Sequence, residues 1–173
     1  MGRRMDYTIA FDAPAEKIYR DLTSRPYWEA LTDVYLALTP QAEVADFASA
    51  ESGTDIVIKL FLPRSELPPM ARAVLPVDLV ITRVQHFDPF DTAANQATGT
   101  YRATVPAGPG HLDGRYFLTE ADGGDRSQLR LASECKVHLP LVGGTLEQLI
   151  LSNITTMFDA EEAFTADWIT DHH

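Results

Sequence analysis

The chain has 173 residues, 45% of them hydrophobic and 23% charged, proportions of a folded protein that can bury a sizeable core without staples. Its formal net charge is −11 and no Lys or Arg follows Lys136, a poor match to nucleic acid or to an anionic membrane, both of which demand concentrated cations. Cys135 is the only cysteine, so no internal disulfide can form, and no stretch has the apolar length of a membrane span.

These totals lead to the expectation of one domain spanning 1–173, in a reducing, cytoplasmic setting. Asp6 and Asp12 interrupt any signal-peptide run after Arg3 and Arg4. Met1-Gly2 does not open a myristoylation motif, because position 6 is Asp rather than Ser or Thr.

In chain order, Met5 to Phe11 alternates, with Met5, Tyr7, Ile9 and Phe11 on one side, as in a half-buried strand. A short helix begins around Asp12-Ala13-Pro14 and uses Ile18, Tyr19 and Leu22 as its apolar side. A second starts at Pro26 with Trp28, Leu31, Tyr35 and Leu38, although Val34 to Leu38 also suits a short strand. The period then becomes two. Val44 to Ser49 and Thr54 to Leu62 form a hairpin around Glu51-Ser52-Gly53. Prolines at 63, 68, 69 and 76 bar a central strand, and predict a flap over one end of the sheet with a short helix from Pro69 to Leu75.

Four more strands follow: Asp78 to Phe87, Asn95 to Val105, His111 to Glu120 and Ser127 to His138, the last two joined by a turn at Asp122-Gly123-Gly124-Asp125. One-sided alternation is the mark of an antiparallel sheet with one wet face. Leu139 to Gly144 leads into an uninterrupted helix, Thr145 to Thr170, with Leu146, Leu149, Ile150, Ile154, Met157, Phe158, Phe164, Trp168 and Ile169 on a broad stripe. Gly143-Gly144 is expected to be the bend that turns the last strand back onto the sheet. A sheet this large curls, and the terminal helix fills its concave side.

This order resembles the helix-grip fold of the START-like superfamily, which includes lipid-transfer domains, plant hydrophobic-ligand binders and aromatic polyketide cyclases. The implied fold is α+β: a curved antiparallel sheet of about seven strands around a long C-terminal helix, with two short helices after strand 1. A narrower bacterial family, known only as a domain of unknown function, is resembled through several segments. These are Asp6-Tyr7, Tyr27-Trp28, Leu67-Pro68-Pro69, Asp78 to Arg83, Leu139 to Glu147, Glu162 and Trp168. The resemblance implies a mainly apolar pocket between sheet and terminal helix.

Small inward residues (Ala97, Gly99, Ala103, Gly114, Ser133, Cys135) either leave room for a guest or let the helix pack closely. Candidate ligand contacts are Tyr101, Tyr116, Ser133, His86 and Asn153, together with Ile150, Ile154, Met157 and Phe158 on the helix. Strand parity decides whether His86 or Arg83 points inward. A catalytic alternative gives His86 the part of general base in cyclase or dehydratase chemistry, with Tyr101 as another polar group. A third alternative is a filled core acting as an interaction protein.

The acids Asp159, Glu161 and Glu162 are expected on a solvated face. The segment Gly108-Pro109-Gly110-His111-Leu112-Asp113-Gly114 leads into a strand and is no phosphate loop, and His172-His173 could chelate a metal but is not taken as a site. No cofactor, metal, nucleic acid or membrane partner is expected. The expected partner is a small hydrophobic or amphipathic molecule, lipid-like or aromatic.

Overall fold

In the computed structural model, which describes residues 2–37, 41–66, 69–74, 78–105, 108 and 110–172, strand β1 (Arg3–Phe11) is followed by helices α1 (Ala15–Leu22) and α2 (Arg25–Tyr35). Strands β2 (Gln41–Ala50) and β3 (Gly53–Leu62), a 3-10 turn at Arg64–Glu66 and helix α3 (Pro69–Val74) come next. Then follow β4 (Leu79–Phe87), β5 (Gln96–Thr104), β6 (Gly110–Ala121), β7 (Arg126–Val137) and helix α4 (Gly143–His172). The strands form one seven-stranded antiparallel sheet in the order β1-β7-β6-β5-β4-β3-β2. Every neighbouring pair except β1 with β7 is consecutive in the chain.

Alternation decides which side each residue faces. In β7, Ser127, Leu129, Leu131, Ser133, Cys135 and Val137 are all buried, and the residues between them are exposed or half-buried. The inner residues line up in rows across the sheet. One row runs Thr54, Phe87, Gly99, Tyr116, Leu131 and Tyr7. The next runs Ile56, Gln85, Tyr101, Gly114, Ser133 and Met5, and the third Ile58, Arg83, Ala103, Leu112, Cys135 and Arg3. Buried side chains of α1 (Ile18, Leu22) and α2 (Trp28, Leu31, Tyr35) join this core. Burial, with Glu147 adding to it, pushes the Cys135 thiol up to about 11.

The glycines on the inner face do not leave a void. A Cβ on Gly114 would stand 1.9 Å from the ring of Tyr101, so that ring already covers the position. On Gly99 a Cβ would meet the His86 carbonyl oxygen at 2.4 Å.

Several boundaries differ from the expectation. Residues 34 and 35 complete α2 instead of starting a strand, and Leu38 lies outside the described residues. Edge strand β2 begins at Gln41 and carries a register shift between Val44 and Asp46, the kind of bulge that blunts an exposed edge. Within the expected flap, Leu67, Pro68 and 75–77 are outside the described residues, and the helix there runs Pro69–Val74.

Gly143 and Gly144 are not a bend either. They are the first turn of α4, and the chain reverses before them at Leu141, which is fully exposed with φ 69°. Gly143 is required by closeness, since a Cβ there would lie 2.7 Å from the Val137 carbonyl oxygen. Buried Glu147 then accepts a hydrogen bond from the Val137 N–H at 2.9 Å, tying the helix start to the end of β7. At 1.5 Å per residue α4 is roughly 45 Å long. It lies over β7 and β1 and meets α2.

Candidate functional site

Strand β4 carries the polar centre of the inner face. Arg83, Gln85 and Phe87 share the buried parity, while Val84 and His86 face outward. Facing the sheet, Glu161 of α4 comes three residues after Phe158 and four before Thr165, so it sits on the most buried stripe of the helix. Arg83 Nη1 donates to Glu161 Oε1 at 2.6 Å, and both side chains are less than one-tenth exposed.

Their surroundings complete the pairing. Arg83 also donates to the hydroxyls of Tyr35 (3.0 Å) and Tyr116 (2.9 Å). Tyr35 donates to Glu161, and Tyr116 donates to Gln85 Oε1. The guanidinium carbon lies 5.9 Å from the Trp28 ring centroid and 6.0 Å from that of Tyr101. Burial opposes the charge on Arg83, but the Glu161 carboxylate together with the Tyr116 and Tyr35 oxygens outweighs it and holds the guanidinium protonated. Burial raises the Tyr116 hydroxyl against the pull of Arg83, and raises that of Tyr35 as well. Tyr101, hydrogen-bonded to Ser133, is pushed up to about 12 by burial.

One group in this centre lacks a partner. Gln85 is 0% exposed and its Nε2 makes no hydrogen bond. An orphaned buried N–H typically costs about 1–3 kcal/mol.

An apolar border continues from the polar centre. On the sheet, Ile81, Ala103 and Val105 pack against the core but stay half-buried. On α4, Ile150, Ile154 and Met157 do the same, and Ile150 and Met157 lie on the helix flank that farther along bears Phe164 and Trp168. That flank is turned away from β1. The other flank meets β1 instead, where Tyr7 donates to Asp159 and lies 3.2 Å from Glu162, and Thr155 contacts Met5.

The structure distributes the sequence candidates unevenly. Tyr101, Tyr116 and Ser133 are buried on the inner face, and Phe158 packs on Tyr7 at 5.4 Å and Tyr101 at 6.3 Å between ring centroids. Ile150, Ile154 and Met157 are half-buried and pack against the core. His86 does not reach it. Parity puts that ring on the outer face, bonded to Asp55 at 2.7 Å and 3.2 Å from Asp88, so it is no base for chemistry at the inner face. Asn153 is exposed as well, because it sits at the outer limit of the flank.

The expected solvated cluster breaks up in the same way: Asp159 and Glu162 are exposed, but Glu161 is buried on Arg83. Sequence reasoning missed Glu161, Gln85 and Tyr35 as members of the site. Spacing carried the signal, because Glu161 falls on the Phe158–Thr165 stripe and Gln85 shares parity with Phe87.

A hollow of about 910 Å³ lies on the opposite, outer face of the sheet. The ion pairs Arg4–Glu134, Arg102–Asp113 and Arg130–Asp6 stand among its walls, at 2.9, 3.4 and 3.5 Å. Exposed pairs of this kind contribute little and mark a wet surface. Among the described residues, no group of three or more His, Cys, Asp or Glu is placed to hold a metal ion, and no helix is long and apolar enough to cross a membrane.

A curled seven-stranded antiparallel sheet, two helices after its first strand and a long C-terminal helix across its concave face give the chain a START-like, helix-grip fold. Solved structures agree on the fold. An aromatase/cyclase from Streptomyces sp. R1128 superposes with a TM-score of 0.60 at 15% identity, over 96% of this chain and 93% of its own. Norcoclaurine synthase from Thalictrum flavum, in complex with dopamine and hydroxybenzaldehyde, gives 0.58 at 12%, over 100% and 89%. Residues 6–169 match the model of the DUF2505 family, described as proteins of unknown function, and the chain belongs to that family. An uncharacterized protein of Mycobacterium tuberculosis H37Rv is 27% identical over 99% of both chains.

Proposed function

We propose that this protein binds a small hydrophobic or amphipathic molecule, lipid-like or aromatic, between the inner face of the sheet and α4. The observation that carries this reading is apolar surface left uncovered at inward positions. Ile81, Ala103 and Val105 on the sheet and Ile150, Ile154 and Met157 on the helix are half-buried, while Ile56, Ile58, Leu131 and Phe158 nearby are fully buried. A guest would cover that surface, with a driving term of about 25 cal/mol per Å² of apolar area before ordering costs. The segment from 63 to 76 would control access, and the setting would be the cytoplasm. The dopamine and hydroxybenzaldehyde held by norcoclaurine synthase are compatible with an aromatic guest for this fold. Catalysis through His86 is not part of the proposal, since that ring lies across the sheet from the guest.

Titration with the hydrocarbon dye diphenylhexatriene tests the proposal. Saturable one-to-one fluorescence enhancement is expected, weakened roughly tenfold or more by Met157→Lys or Ile150→Glu and unaffected by Val84→Glu on the outer face. Absence of saturable binding, or equal loss in all three variants, refutes it.

A further inference from the structure

Buried polar groups in folded proteins are almost always paired, so an exception calls for an explanation, and a partner met in use is one. Among the described residues, that exception ends a directional chain. Arg83 donates to the Tyr116 hydroxyl, Tyr116 donates to Gln85 Oε1, and Gln85 Nε2 is left as a donor with nothing to receive it. Each member polarises the next, so a chain that begins on a guanidinium delivers a strengthened N–H at its far end.

Distance along β4 relates this donor to the apolar border. Gln85 is four residues beyond half-buried Ile81, roughly 13 Å at strand rise. Between them is the row holding Arg83 opposite Ala103, a small side chain that is itself only half-buried. The rings of Phe87, Tyr101 and Tyr116 cluster at the Gln85 end, with Phe87 stacked 4.8 Å and Tyr101 4.7 Å from Tyr116.

Charge narrows the choice of acceptor. Glu161 already neutralises Arg83, so a ligand carboxylate would bring an uncompensated anion into the interior. A neutral carbonyl accepts the N–H without that cost.

We propose that Gln85 Nε2 is the recognition donor for a neutral carbonyl oxygen at the inner end of a flat apolar ligand. This rests on the proposed pocket and names the chemistry of its deep end.

Three probes of nearly one shape test it: fluorene, 9-fluorenone and 9-fluorenecarboxylate, measured by competition with diphenylhexatriene. Fluorenone is expected to bind roughly tenfold more tightly than fluorene, with the carboxylate weakest. Gln85→Met should erase the difference between fluorenone and fluorene. Carbonyl-13C fluorenone should show its infrared stretch shifted to lower frequency in the wild-type complex than in hexane. That measurement decides the matter if Gln85→Met does not fold. Equal affinities for fluorenone and fluorene, or a stretch at the hexane frequency, overturn carbonyl recognition while dye binding keeps the pocket standing. If neither the dye nor any of the three probes binds, the pocket falls with it.

Discussion

The two ends of α4 rest on the same sheet but are held by different physics. From Phe158 to Ile169 the buried stripe includes Glu161 and Thr165, each engaged: Glu161 on Arg83 and Tyr35, Thr165 with the Tyr27 hydroxyl at 2.7 Å. Trp168 donates to Asp21 at 3.1 Å, and Tyr27 is edge-on to both Trp28 and Trp168. From Leu149 to Met157, most apolar side chains are half-buried and the exposed Asn153 makes no tie to the sheet. One end is closed by directional contacts in which the buried polar groups of α4 itself are paired. The other leaves greasy surface that a guest can cover. A helix can thus be anchored at one end and leave apolar surface half-covered at the other, provided the costly groups are confined to the anchored end.

The comparison can be broken most severely at Glu161. Glu161→Gln strands a buried guanidinium and should cost about 3–5 kcal/mol in urea unfolding at pH 7. The double change Arg83→Met with Glu161→Leu should recover most of that loss, because no charge is then left alone. A single-variant loss under about 1 kcal/mol would mean the pair does not hold the closed end.

Phe158→Ala should follow at about 3–5 kcal/mol, set by the cavity it leaves. Next comes alkali. Tyr101 titrates near 12 when folded against an ordinary 10.0, and Cys135 near 11 against 9.0. The folded state holds both protons more tightly, so this stability is complete below about pH 9 and drains as pH rises through 11 and 12. Unfolding midpoints at pH 8 and 11 should show the decline, and Tyr101→Phe should make it shallower without removing it, since Cys135, Tyr116 and Tyr35 are raised as well.

On the open end, Ile154→Ala should cost only about 1–2 kcal/mol, since part of its surface already meets water. A loss matching that of Phe158→Ala would abolish the contrast between the two ends. Smallest of all, Asp159→Asn on the exposed β1 flank should stay within about 0.5 kcal/mol in the same assay.

Architecture was legible because burial on one side of a sheet writes itself as period two, and Ser127 to Val137 is a clean instance. The long helix was legible from its apolar spacing. The polar centre was harder to see. Acids on a terminal helix are usually solvated, and that default placed Glu161 with Asp159 and Glu162, although its own spacing put it under the helix. The opposing charge that makes burial tolerable comes from Arg83, 78 residues away. No local pattern announces such a pair. His86 and Arg83 were separable in principle, since the odd positions of β4 end in Phe87. Asn153 shares its spacing with Ile150 and Met157 but sits past the edge of contact, a matter of how the helix is rolled on the sheet. Gly143 and Gly144 read naturally as a hinge. Gly143 is instead where backbone meets backbone.

Strand β1 pairs with β7, Arg3 opposite Cys135 and Phe11 opposite Ser127. On the ribosome the first strand made must therefore wait for almost the last, and Arg83 must wait longer still for Glu161. Contacts this distant in sequence slow folding and prolong the time that an unpaired edge stays exposed. Until α4 emerges, the nascent sheet carries a bare cation in the middle of its greasy face. That charge is covered only when the helix brings Glu161 to it.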